Sequence, residues 1–256
     1  AWSLLDKLDK INPYIFVFFL RDICGYEIIN NYSKIISFLK NTKFNNLLEI
    51  NINDINKTII NFNYNNSTFS KKNTQNPKLL AKKISLYLKK NNSQIGIGLY
   101  GEKRNVYKGK NYLSLLIPKL RRDVHLGIDI FADIGTKIQA PLVGKVIILK
   151  NNSSMYDYGP TIVLEHVIYK RVKFFTLYGH LSKKCLKTIK VGQKIKKGEI
   201  FADIGNYNIN GHWPPHLHFQ IITSIMNENN NFYGVAEDFL FSVWKKISPD
   251  PNLILN

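Results

Sequence analysis

Cysteine is scarce in this sequence. Cys24 and Cys185 are the only two among 256 residues, and they form no CxxC pair. A thiolate zinc site is therefore excluded. The two thiols fall in what read as different domains, as free structural groups, and they fit a reducing compartment. Long hydrophobic runs are also missing. The longest apolar stretch, Ile15 to Leu20 inside 11–20, is far short of the roughly 20 residues that span a bilayer. No charged-then-apolar leader with a small-residue cleavage site is seen at the N-terminus. Because the chain begins at Ala1, it reads as a processed form or a piece of something longer.

Arginine is scarce too. Only five of the 36 basic residues are Arg, although the net charge is +18. The excess of Lys runs through the whole chain together with Asn and Ile, and no nucleic-acid motif accompanies it. It reads as a compositional bias on a solvated surface, with salt-dependent attraction for anionic polymers but no specific nucleic-acid partner.

What is present is a core. A hydrophobic content of 45% marks a folded globular protein. The pattern changes near residue 92, which divides a mostly helical region, 1–92, from a β domain with a C-terminal tail, 93–256. In the first part, Ile28, Ile29, Tyr32, Ile35, Ile36 and Leu39 recur near a period of 3.6, as do Leu79, Leu80, Ile84 and Leu88. Asn76-Pro77 supplies an N-cap and a first-turn proline for the second of these helices. Residues 61–70 are polar and read as a loop or weak strand. From Ile95, short apolar runs separated by Gly, Pro and Asn predict strands: 144–149, 161–167, 174–177, 199–204 and 216–222. The fold class is α+β, mainly an antiparallel β-sandwich or barrel-like domain behind a small helical region. The stretch 243–256, with Ser248-Pro249-Asp250-Pro251, reads as an extended tail.

All six histidines lie between 125 and 218. Imidazole is the commonest metal ligand and the acid–base group of neutral pH, so the β domain is the working part. In His125-Leu126-Gly127-Ile128-Asp129, strand alternation puts His125 and Asp129 on one face and Leu126 and Ile128 toward the core. In His216-Leu217-His218-Phe219, both imidazoles share a face while Leu217 and Phe219 pack behind. Two histidines and a carboxylate leave a fourth position for water, which is the pattern of a catalytic zinc. His180 follows a strand at a turn marked by Gly179 and reads as an acid–base or hydrogen-bonding group.

The order HLGID, LYGHLS, HLHF resembles the LytM-type (M23) zinc metallopeptidases, which cleave peptide bonds of bacterial peptidoglycan. The turns around Gly135–Pro141 and Gly144–Val146 and the hairpin Val191–Gly198 are similar to the same family, and the resemblance covers roughly residues 121–224. It implies a duplicated-hybrid-motif fold, one Zn2+ on His125, Asp129 and His218, and His216 and His180 as catalytic histidines. His166 matches a common structural histidine of the family. The segments Asp157–His166, Asn210–Gln220 and Pro249–Leu253, with Leu8–Pro13, look like the M23-like module found beside a phosphotransferase-like domain and a class III aminotransferase. Where most of the family has a Gly/Ser-rich turn, this chain has Asn210-Gly211-His212-Trp213-Pro214-Pro215. Trp213 and the prolines are expected to stiffen and partly fill the cleft edge, with Trp213, His212 and Tyr178 as substrate contacts.

The resemblance thus implies a zinc-dependent hydrolase of amide or peptide bonds, acting on a peptidoglycan-type peptide or a small amide. The alternative is a metal-binding module, weak or inactive in catalysis, that positions a substrate for a linked aminotransferase. An aminotransferase-linked protein is expected in the cytoplasm, and an ordinary member of the family in the periplasm or outside the cell. A carrier-domain reading of the Val191–Gly198 hairpin lacks the modifiable-lysine signature. A phosphotransfer-domain reading leaves the HxH unused.

Overall fold

Asn76 caps a helix as its sequence context requires. Its side chain accepts from the Lys78 and Leu79 backbone N–H groups, and Pro77 opens the first turn. The computed structural model describes residues 13–66, 68–69, 76–107, 109–114, 117, 119–169, 171–228 and 231–255. The Leu8–Asn12 part of the N-terminal resemblance lies outside the described residues. The first part is mostly helical, with α1 (Pro13–Ile23), α2 (Tyr32–Asn41) and α3 (Pro77–Lys90), but the short strand Lys57–Ile59 between α2 and α3 already belongs to the main sheet. The periodic stretch that starts at Ile28 becomes helical only at Tyr32. Ile28 and Ile29 are nevertheless buried just upstream of the helix.

Among the described residues twelve strands follow the pattern of short apolar runs. They are β1 (Lys57–Ile59), β2 (Ile95–Gly98), β3 (Arg122–His125), β4 (Ile128–Phe131), β5 (Lys137–Gln139), β6 (Gly144–Asn152), β7 (Gly159–Ile168), β8 (Val172–Gly179), β9 (Lys194–Ile195), β10 (Ile200–Asp203), β11 (His216–Ile222) and β12 (Val235–Glu237). Eight of them form one sheet in the order β1-β2-β4-β11-β8-β7-β6-β9, while β10 pairs β5 and β12 pairs β3 in two small sheets. The pair β1/β2 is parallel, and the other pairs of the large sheet are antiparallel. The domain is thus rich in β-structure behind a small helical region, and its main sheet is mixed and open rather than closed into a barrel.

Both faces of that sheet are covered, so its strands read as nearly continuous apolar runs. On one face Ile128, Ile130, Leu217, Phe219 and Ile221 pack with Ile35 and Leu39 of α2 and with Leu47 and Leu48. On the other, Phe175, Leu177 and Ile222 pack with Ile15 and Phe18 of α1 and with Val243, Trp244 and Ile247. Leu217 and Phe219 are fully buried, and each such side chain contributes about 1.5–3 kcal/mol through removal from water. Alternation along β11 then leaves His216, His218 and Gln220 on the opposite face from Leu217 and Phe219.

One expectation needs correction. The stretch read as an extended tail, 243–256, is not extended over its described residues, 243–255. Phe241–Ile247 (α4) and Asn252–Leu255 (α5) are helical, flanking the Ser-Pro-Asp-Pro turn. Val243, Trp244 and Ile247 seal the second face of the sheet, which an extended tail would leave exposed. Among the described residues no helix is long and apolar enough to cross a membrane.

Candidate metal centre

β4 and β11 pair antiparallel with His218 directly opposite Asp129 and His216 opposite Phe131. That register brings the second motif onto the first. His125 arrives by a different route from the one expected. The segment 125–129 is not one strand: β3 ends at His125, the chain bends through Leu126-Gly127, and β4 starts at Ile128. Leu126 and Ile128 enter different cores. Gly127 makes the bend possible, because a Cβ there would stand 2.5 Å from His218 Cε1 and 2.7 Å from the Phe219 carbonyl oxygen.

The result is one tight group. His125, Asp129 and His218 are all buried, and among the described residues they form the one cluster able to hold a metal. Asp129 Oδ1 lies 3.2 Å from His125 Nε2 and 3.0 Å from His218 Nδ1. The two facing nitrogens are 3.0 Å apart. Ligand atoms on a tetrahedron with zinc-type bonds stand about 3.3 Å apart, close to the edges of this triangle.

Proton bookkeeping makes the case chemically. His125 Nδ1 is 2.9 Å from the Leu99 carbonyl, which can only accept, so that nitrogen carries the proton. His218 Nε2 is 3.1 Å from Gln220 Oε1. The Gln220 amide is oriented by donating to the Tyr233 carbonyl at 3.0 Å and to Ser248 Oγ at 2.7 Å, so His218 Nε2 also carries its proton. His125 Nε2, His218 Nδ1 and Asp129 Oδ1 therefore point three electron pairs at one spot. A divalent cation satisfies such a set, and the outer hydrogen bonds fix the tautomers that ligation needs.

His216 and His180 form a separate pair. Their rings lie 4.2 Å apart, and His216 stacks on Phe131 at 4.9 Å. His216 Nδ1 donates to the Pro214 carbonyl at 2.6 Å and His180 Nδ1 to the Asn210 carbonyl at 2.8 Å. Each thus keeps its Nε2 unprotonated. His180 follows the last residue of β8 in the left-handed region, at φ 62°, a costly conformation for a side-chain-bearing residue.

Burial sets the charge states. It pushes the His125 imidazole down to about 3, helped by the Arg104 charge and opposed by Asp129. Burial likewise holds His180 far below the ordinary imidazole range, with His216 and His218 adding to the effect. His216 is lowered by burial as well, against the pull of Asp129 and the Pro214 carbonyl. For Asp129, burial opposes ionisation, but the neighbouring His125 and the Arg104 guanidinium outweigh it and hold the carboxyl well below its usual range. The Asp129 carboxylate thus sits beside neutral imidazoles at His125, His180 and His216.

A cavity of about 520 Å³ opens onto Asp129, His180, His216 and His218. Trp213 lines it and packs against Tyr156 and Tyr107 at 5.4 and 6.3 Å. The other two expected substrate contacts are placed elsewhere. Tyr178 is fully buried between Phe201 and Phe219, with its hydroxyl on Thr176, because its position on β8 faces the first core. His212 turns to Tyr207, 5.0 Å between rings, and does not line the cavity. His166 is a core histidine, held by the Val143 carbonyl and Thr176 and stacked on Phe174.

Several site residues went unnoticed in the sequence. Gln220 was within reach of strand parity, since it is two residues from His218. Tyr158 packs against His218 at 5.1 Å, and its buried hydroxyl has no partner among the described residues. Arg104 gave only a compositional signal, as one of very few arginines in a lysine-rich chain.

Residues 123–231 match the model of peptidase family M23. No curated protein matches the chain. Among solved structures, it is similar to a zinc-containing peptidase from Vibrio cholerae at 30% identity, covering 40% of this chain and 28% of that one, with a TM-score of 0.32. It is similar to the catalytic domain of the prophage-encoded M23 protein EnpA from Enterococcus faecalis at 28% identity, covering 46% and 81%, with a TM-score of 0.34. The catalytic domain of the antimicrobial peptidase lysostaphin from Staphylococcus simulans gives 28% identity, 46% and 79% coverage, and a TM-score of 0.32. The chain thus spans less than a third of the length of the Vibrio protein.

Proposed function

We propose that the protein is a zinc-dependent hydrolase of amide or peptide bonds, with one ion held by His125, Asp129 and His218. The observation that carries this reading is the convergence of three unprotonated ligand atoms, about 3 Å apart, in a buried site. The family match over residues 123–231 supports the same chemistry.

Zinc, when bound, supplies Lewis acidity, polarising a carbonyl and acidifying water. His216 is neutral and presents Nε2 3.7 Å from Asp129 Oδ1, on the cavity side, where it accepts the proton of the attacking water. The protonated His216 then returns that proton to the leaving nitrogen, and the bare Nε2 of His180, whose ring lies beside it, accepts a hydrogen bond from the attacking water. Asp129 keeps its charge and balances the cation. Trp213 and Tyr156, packed together, form one wall of the cavity and restrict the substrate to a peptide or small amide that fits against it.

Metal analysis together with an amine-release assay on muropeptides and small N-acyl compounds tests the proposal. The wild type is expected to carry one zinc and turn over. His218→Ala is expected to lose the metal, and His216→Ala to keep the metal and lose turnover. Equal zinc in wild type and His218→Ala sinks the ligand assignment. Stoichiometric zinc with no amine released from any substrate sinks the hydrolase and leaves a metal-binding module.

A further inference from the structure

Arg104 is charged, only 2% exposed, and unused by the reaction above. It sits in the turn that follows β2, outside the 123–231 stretch. Its Nη1 donates to Asp129 Oδ2 at 2.5 Å and its Nε to Glu102 Oε2 at 2.8 Å. Its Nη2 donates to the Leu99 carbonyl at 3.2 Å, the same oxygen that receives the His125 Nδ1 proton. The planar guanidinium lies over the Phe62 ring at 5.3 Å. Glu102 is itself fixed, because its other oxygen accepts from the Phe62 and Asn63 backbone N–H groups at 2.7 and 3.1 Å. Gly98 leaves room for this arrangement, since a Cβ there would stand 2.7 Å from Arg104 Nη2.

The two oxygens of Asp129 are thereby assigned different partners. Oδ1 faces His125 and His218, and Oδ2 is occupied by the guanidinium. An unpartnered carboxylate can grip a divalent ion with both oxygens, which raises the coordination number and fills the position a catalytic site keeps open. We propose that Arg104 is a positioning residue that restricts Asp129 to one-oxygen ligation, with Glu102 neutralising its charge beside the cation. This inference rests on the zinc reading above. A purely structural role accounts for the contacts less well. Buried ion groups cost desolvation that their attraction barely repays, and apolar replacements of similar volume are often neutral for stability.

The test uses the full chain as wild type, Arg104→Met and the paired Glu102→Gln/Arg104→Met, which removes the buried Glu102 charge that the single variant strands and serves if that variant fails to fold. Zinc affinity is read by competition with a chromophoric chelator, and ligation by the visible spectrum of the Co2+ form, which is intense for four ligands and weak for five or six. The expected result is about 10–100-fold weaker zinc binding, the usual cost of losing an outer-sphere partner, with a fainter Co2+ band. A folded paired variant with wild-type affinity and band overturns the role of Arg104 while leaving the metal site intact. A wild type that binds no zinc overturns the metal reading itself, and this inference with it.

Discussion

His125 Nε2 and His218 Nδ1 face each other across 3.0 Å while each ring spends its proton on a different acceptor, the Leu99 carbonyl and Gln220. Two lone pairs at that distance repel, and the Asp129 carboxylate beside them adds a third. A shared cation would offset that repulsion.

Chelation follows directly. Removing zinc is expected to lower the melting temperature, and restoring it to raise stability by about 4 kcal/mol when free ion exceeds its dissociation constant a thousandfold. Calorimetry with and without chelator measures this. A melting temperature indifferent to zinc contradicts the shared-cation account of the His125–His218 pair.

Gln220 is the side chain that sets the His218 tautomer. Gln220→Leu keeps the volume and deletes the acceptor, so zinc affinity is expected to fall about 10–100-fold. Ser248→Ala removes one hydrogen bond behind Gln220 and is expected to cost only about 1 kcal/mol of stability. Chelator competition and urea titration separate the two effects. Equal effects of both variants on zinc binding contradict this division.

Gly127→Ala puts a methyl against the His218 ring and the Phe219 carbonyl, at 2.5 and 2.7 Å. Backbone cannot yield as a flexible side chain can, so a destabilisation of about 1–3 kcal/mol is expected, with the ring displaced and zinc lost. A folded Gly127→Ala protein with full metal content argues against the close approach of the Gly127 bend to β11.

His166 gives a pH dependence that does not involve the metal. Burial pushes its imidazole down to about 4, against about 6.5 in an unfolded chain. The unfolded state binds the extra proton between these values. Stability is therefore fully present above about 6.5 and lost as pH falls toward about 4, on the order of 3 kcal/mol in all. His166→Gln keeps partners for Val143 and Thr176 but not the proton site. Its urea-unfolding free energy is expected to fall less steeply than that of the wild type over this window, and parallel curves rule His166 out as the source.

Local rules made part of this legible in sequence. Asn76-Pro77 announces its helix because capping is a matter of two or three residues. HLHF shows its two faces because a central strand alternates strictly, and β11 has the expected limits. The HLGID motif named the right residues through a mistaken geometry: strand parity put His125 and Asp129 on one face, whereas the bend at Gly127 brings them together. That bend depends on His218, which is 91 positions away, and no local pattern contains it. The contact of Arg104 with Asp129 is of the same kind, a loop side chain meeting a strand through tertiary packing. The C-terminal helices were hidden by their flanking prolines, which read as chain breaks although Trp244 and Ile247 between them fill the core.

Three of the four imidazoles of the site are aimed by main-chain oxygens: His125 by Leu99, His180 by Asn210 and His216 by Pro214. A carbonyl survives every side-chain replacement. Alanine scanning would therefore pass over these three positions as silent, although they decide which nitrogen each ring presents. The aim of the site is written in the path of its loops, so backbone edits such as amide-to-ester exchange at Leu99 or Pro214, or a one-residue change in the 206–215 loop, are the alterations to which its chemistry is most exposed.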